Sequence, residues 1–181
     1  MEGILDVITT DRRFDGYTFR IVPPPRTDRD EVIRFRTLCA ENTCGQYGTS
    51  WGCPPGSCSV EDAVGTLERY SEALVAYRSF DVPDNAGKSF YDPVQKDHQD
   101  VCRELAKLIR KRYGDAVALG DGGCTYCKRC AYPDPCRSPE NRVPSVSGLG
   151  IDMERYMKSQ DIPFAFEKGR MTLYGIILFN Q

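Results

Sequence analysis

The chain has 181 residues, with 24 Lys and Arg against 26 Asp and Glu and a formal charge of -2. That balance excludes the dense basic surface of a dedicated nucleic-acid binder. The length suits one domain over residues 1–181, a single core carrying a cysteine-rich lobe.

Nine cysteines would read as a disulfide scaffold in a secreted chain, but an odd count fits full pairing poorly. The first six residues lack the basic head and apolar run of a signal peptide. The longest apolar stretch, residues 176–179, is strand-sized and cannot span a bilayer. The expectation is a cytoplasmic protein without a membrane segment, where clustered thiols mean metal or redox chemistry.

In chain order, residues 1–26 carry little signal beyond the alternation at 17–22, a strand ended by Pro23 to Pro25. Thr27, with Asp30 three residues on, reads as the cap of a helix that delivers Cys39 at its end. The loop 39–58 follows, with Cys39, Cys44, Cys53 and Cys58 interleaved with four glycines. Glycines permit the close backbone approach that a loop wrapped around a cofactor needs. Pro54 and Pro55 behind Cys53 stiffen that loop.

Ser59 caps a short helix with Asp62 at its third position. Residues 73–77 are a continuous apolar run, the pattern of a strand buried on both faces. Asp92-Pro93 with Gln95 predicts a helix to about Tyr113, stopped by Gly114, with Val101, Cys102, Leu105, Leu108, Ile109 and Tyr113 inward. Residues 116–119 form a second strand, so 73–119 reads as a right-handed βαβ unit. That strand runs straight into the second cysteine loop, 124–136. Residues 151–159 read as a short helix. Residues 164–166 and 171–179, around a Lys168-Gly169 turn, read as a C-terminal hairpin. The fold expected is α+β: a compact mixed sheet with a βαβ unit and two cysteine loops at one end.

The second loop carries the sharpest chemistry. Cys124, Cys127 and Cys130 stand three residues apart, and Cys136 follows past two prolines. Cys-x2-Cys-x2-Cys curls the backbone so that three thiolates converge, the reading given to ferredoxin cluster loops. A zinc site more often pairs two Cys-x2-Cys knuckles across a longer loop, and four cysteines remain compatible with it. The first loop, Cys-x4-Cys-x8-Cys-x4-Cys, is less specific alone.

Cys102 lies on an apolar helix face and reads as core, which leaves eight cysteines in two quartets. The one histidine, His98, is placed at the exposed start of its helix, so a mixed Cys/His site has little support. Lys128, Arg129, Arg137 and Arg142 read as surface charge, or as cations that tune a cluster or guide an acidic partner. There is no Walker phosphate loop, no Rossmann glycine spacing and no Cys-x3-Cys-x2-Cys of radical S-adenosylmethionine enzymes.

Two stretches carry a family resemblance. They are Cys44-x2-Tyr47-Gly48-x2-Trp51-x-Cys53-Pro54-Pro55 and Cys124-x2-Cys127-x2-Cys130-x-Tyr132-Pro133-x2-Cys136-Arg137-x-Pro139-Glu140, continuing to Pro144-Ser145 and Gly150-Ile151-Asp152. Together they resemble a prokaryotic family of predicted metal-binding proteins of unknown function, frequent in anaerobes. The resemblance implies metal binding through the eight cysteines, as iron–sulfur clusters, and implies no settled reaction.

The resulting expectation is an iron–sulfur protein with two [4Fe–4S] clusters that passes single electrons to a redox partner protein. Cys39, Cys44, Cys53 and Cys58 would hold one cluster, and Cys124, Cys127, Cys130 and Cys136 the other. The alternatives are an enzyme using a cluster with an open iron, and an interaction module fixed by structural zinc.

Overall fold

The computed structural model describes residues 3–165 and 167–181. Helix α1 is Ile4–Thr9, strand β1 Thr18–Val22, α2 Arg29–Ala40 and α3 Val60–Glu68; β2 is Glu72–Asp81, α4 Lys88–Tyr113, β3 Ala116–Leu119, α5 Met153–Ser159 and β4 Arg170–Phe179. The strands form one sheet in the order β1-β2-β4-β3.

Strand periodicity decides which side each residue faces. On β2, Ala73 and Val75 join one apolar cluster and Leu74 and Ala76 the other. On β4, Tyr174, Ile176 and Leu178 face the first side, and Ile177 and Phe179 the second. Helices α2, α3 and α5 cover the first face through Val32, Ala63, Leu67 and Met157. Helices α1 and α4 cover the second through Ile4, Ile8, Cys102, Leu105 and Ile109. The apolar run 73–76 is therefore buried on both faces.

The α+β class is the one expected, with differences in detail. Every strand pair in the sheet is antiparallel rather than mixed. β2 and β3 run in the same direction but do not touch, because β4 lies between them, pairing Glu72 and Ala116 with Phe179 from either side. The expected βαβ crossover is thus split around β4. Its residues 173–179 are all buried, and only a central position covers both faces of so apolar a strand. The expected hairpin does not form among the described residues: 164 and 165 are not in a strand, and only an isolated bridge joins Glu167 to Arg170. Phe166 lies outside the described residues.

Helix caps set the ends of the elements that hold the site. Ser59 accepts the Asp62 N–H at 2.9 Å, as its sequence implies. The cap of α2 is Asp28 rather than Thr27, accepting from Glu31 at 2.8 Å. Thr27 donates instead to the Gly150 carbonyl at 2.9 Å, a partner far away in sequence. α4 starts at Lys88, so Pro93 lies inside the helix rather than at its first turn.

Candidate metal centre

Cys39 sits in the last turn of α2, and the chain then winds through Cys44 and Cys53 to Cys58, just before the Ser59 cap of α3. Within this loop the Gly48 N–H donates to the Pro54 carbonyl at 2.9 Å. Strand β3 leads through residues 120–123 into Cys124. There Gly120 is tied to residues 144–146 by two backbone bonds, one donated to the Pro144 carbonyl and one received from the Val146 N–H.

The buried polar face of α4 clamps the start of the second loop. Gln99 donates to the carbonyls of Asp121 and Gly123 at 3.0 and 2.9 Å. Its amide oxygen accepts the Thr125 N–H and hydroxyl, each at 3.0 Å. Arg103, only 5 % exposed, donates to the Gln99 oxygen at 3.1 Å and to the Asn141 carbonyl at 3.0 Å. The same guanidinium reaches within 4.0 Å of the Cys124 sulfur and stacks over Tyr126. It also pairs with Asp100. A buried charge is tolerable only with such partners, and the bond to the Asn141 carbonyl also fixes backbone.

The two cysteine loops interlock. Gly52 lies so close to Cys124 that a Cβ on it would stand 2.4 Å from the Cys124 nitrogen. Its carbonyl accepts the Ser145 N–H at 2.8 Å. The Trp51 indole donates to the Asp134 carbonyl at 2.7 Å and meets the Tyr132 ring edge-on. Gly56 faces the same Tyr132 ring, where a Cβ would approach to 2.6 Å. The lobe is therefore one structure built from both loops.

Within it, the buried Cys53 thiol is pushed up to about 11, chiefly by desolvation, and it feels Cys44, Cys39 and Cys124 as neighbouring charges. The Cys39 thiol is raised by burial and by Cys44. The Cys58 sulfur accepts from Arg36 at 3.5 Å, and its side chain packs against the core. Cys124 and Cys127 both line a hollow of about 570 Å³, with Lys88, Lys96 and Lys128 on its walls. Among the described residues no three His, Cys, Asp or Glu side chains are drawn as close as a single bound ion requires.

Residues 31–179 match the DUF2284 family of predicted metal-binding proteins. The chain belongs to this family. Neither the curated proteins nor the solved structures provide a significant match. Membership establishes the coarse part of the expectation, a metal-binding domain, and leaves open which metal and which ligands.

The residues of the lobe fit such a metal. Its donors are soft thiols, the ligand type that selects zinc or iron–sulfur clusters. The Ser57 hydroxyl, in the first loop, is buried and has no hydrogen-bond partner among the described residues. A buried donor of that kind calls for an acceptor, and a thiolate-ligated centre offers several.

The histidine is placed differently from the sequence expectation. His98 is fully buried, not exposed. It shares a helix face with Cys102 one turn on, its Nε2 3.7 Å from the Cys102 sulfur. Its ring stacks on Tyr17, whose hydroxyl lies 3.0 Å from Nδ1. Burial pushes its pKa down to about 4. Tyr17, eighty-one residues away, supplies the partner, so local periodicity could not show it. Cys102 is fully buried, as expected, and burial pushes its thiol up to about 12.

Of the cations singled out in the sequence, Lys128 lines the hollow, and Arg137 closes the second loop onto the Arg129 carbonyl. Among the described residues, the cations that reach cysteine sulfurs are Arg36 and Arg103, neither of which is expected there from the sequence. A signal existed for the first: Arg36 stands one helical turn before Cys39. Arg103 stands one turn from Gln99 on the same helix, and nothing in its local sequence points to Cys124.

Proposed function

We propose that the protein is an iron–sulfur protein whose cysteine lobe holds two [4Fe–4S] clusters and exchanges single electrons with a partner protein. The observation that carries this reading is the interlocked lobe itself. Eight of the nine cysteines lie in it, around a Cys-x2-Cys-x2-Cys loop, while the single histidine is sequestered in the core. Bound there, a cluster would supply one-electron chemistry at a potential set by its hydrogen bonds, neighbouring charge and burial.

The chain's own residues supply the rest. Cys53 is buried and excludes water from its side of the lobe. Gln99 and the Arg103 guanidinium hold the backbone at 121–125, and Arg103 places a permanent positive charge beside Cys124. Such a charge favours the reduced, more negative form of an adjacent centre. Lys88 and Lys128, with Lys96 paired to Asp100 and Asp92 as the one acidic wall residue among those described, leave the hollow beside Cys124 and Cys127 positive on balance, suited to an acidic partner whose approach it would steer.

The test is the iron, zinc and acid-labile sulfide content of protein purified under strict anaerobiosis. The expected result is iron and sulfide in equal amounts, about eight of each per chain. Zinc without labile sulfide refutes the iron–sulfur reading and leaves a structural zinc module in its place.

A further inference from the structure

We propose that the first cysteine set is completed across the two loops: Cys39, Cys44 and Cys53 share their metal centre with Cys124, and Cys58 is not a ligand. The inference deepens the metal-binding reading above and rests on it.

Sequence order argues for Cys58, the next cysteine after Cys53. Three observations argue against it. The first is contact between the loops. Gly52 is packed on the backbone of Cys124, with a Cβ position 2.4 Å from its nitrogen and 2.8 Å from its Cβ. Ser145 locks that arrangement, donating its N–H to the Gly52 carbonyl while its neighbours bond Gly120. Cys53 and Cys124 therefore leave one junction, and neither can move away without parting backbone.

The second is the Trp51 side chain, two residues before Cys53. Its indole donates to the Asp134 carbonyl at 2.7 Å and meets the Tyr132 ring edge-on, so the Cys53 segment is held on the second loop from its other side as well. The third is the place of Cys58. Gly56 passes beneath the Tyr132 ring, and the chain then enters the start of α3 at the Ser59 cap. There Arg36 spans three partners, donating to the Cys58 sulfur at 3.5 Å, the Ser59 carbonyl at 3.2 Å and the Gly148 carbonyl at 3.0 Å. The Cys58 side chain packs against the apolar cluster under α3. It is a half-buried thiol at a helix entry, held at the edge of the core. Cys127, Cys130 and Cys136 then remain as the thiols of the second centre.

The experiment uses the whole chain, isolated anaerobically with its metal. Native thiol labelling with a maleimide, read by peptide mass spectrometry, comes first because it needs no variant. Metal-bound thiols are shielded, so Cys58 should label in the loaded protein while Cys124 labels only after the metal is removed. Cys102 stays unlabelled in both while the fold holds.

The second arm compares Cys39→Ser, Cys58→Ala, Cys124→Ser and Cys127→Ser by metal content and by the electron paramagnetic resonance of the reduced protein. Cys58→Ala should keep full metal content. Cys124→Ser should lose the same signal, and about half the metal, as Cys39→Ser, while Cys127→Ser affects the other. A Cys58 shielded until metal is removed overturns the proposal. So does a Cys124→Ser variant that loses the Cys127 signal and keeps the Cys39 signal. If Cys124→Ser does not fold, a Cys58→Ala variant that loses metal, or a Cys58 that labels only after metal removal, still overturns the proposal. Zinc in place of iron refutes only the iron–sulfur reading, since shielding still reports the ligands. Protein holding neither metal overturns both.

Discussion

Gly52→Ala is the sharpest test of the interlocked lobe, because it adds one methyl group and changes no charge. The new Cβ would stand 2.4 Å from the Cys124 nitrogen, 2.8 Å from its Cβ and 3.0 Å from the Val143 carbonyl oxygen. Ordinary contact begins near 3.4 Å, so the two backbones must part by about 3.4 − 2.4 = 1.0 Å. Two of the three obstructing atoms are backbone and cannot rotate away. Overpacking of this kind costs about 1–3 kcal/mol, and two rigid neighbours place it at the upper end.

The Ser145 N–H bond to the Gly52 carbonyl, 2.8 Å long, stretches with it, and its weakening, on the order of 1 kcal/mol, is part of that cost. For a chain of this size about 3 kcal/mol lowers the melting temperature by roughly 6–12 °C. It stays below the total stability of a typical domain, about 5–15 kcal/mol, so the variant folds. If the strain is released by opening the lobe, 3 kcal/mol is roughly a hundredfold in metal retention. The assay is thermal unfolding together with metal content under chelator competition. Gly65→Ala, in helix α3 with open space around it, is the control and should gain about 0.5–1 kcal/mol. A Gly52→Ala protein with wild-type melting and wild-type metal retention would refute the packing of Gly52 on Cys124.

Other changes probe the remaining parts. Gly175→Ala puts a Cβ 2.2 Å from the Cys102 sulfur and should destabilise by about 1–3 kcal/mol. Cys102→Ala alone should leave the metal content intact, and combined with Gly175→Ala it should recover most of the loss in a double-mutant cycle of urea unfolding. Arg103→Gln removes a positive charge from beside Cys124 and should shift the potential of the centre that Cys124→Ser abolishes by on the order of 100 mV to more negative values; Arg103→Lys should recover most of it. Asp121 is pushed up to about 6 by burial while accepting the Tyr174 N–H. Its folded pKa is raised, so its penalty is absent below about pH 3.8 and complete above about pH 6. Asp121→Asn should therefore stabilise metal-free protein by about 1–3 kcal/mol at pH 7.5 and not at pH 4, measured by urea unfolding. His98 has the opposite sign: its folded pKa, near 4, lies below the unfolded value near 6.5, so its contribution is full above pH 6.5 and is lost as pH falls toward 4. His98→Phe should flatten that acid slope.

Much of the architecture is legible in local pattern. The Ser59 cap, the β2 and β3 runs, the stop of α4 at Gly114 and the apolar face carrying Cys102 each depend on neighbours within a few residues. The same holds for the cysteine spacing from which metal binding is expected, and the family agrees with metal binding as such. The misplaced features share another cause. Thr27 gave up its capping role for the Gly150 carbonyl, and His98 turned inward to Tyr17. Both partners are more than eighty residues away.

The sequence by itself determined α2, α3, the body of α4, α5, the four strands of the sheet and the two loops that carry the cysteines, because these follow from side-chain spacing along the chain. Tertiary structure alone decided that β4 divides β2 from β3, since strand order depends on which faces the finished sheet can cover. It alone brought Arg103 to Cys124 and Gly52 onto the same residue. Spacing says how far a thiol can reach, but the packed backbones of two loops decide which thiols it meets.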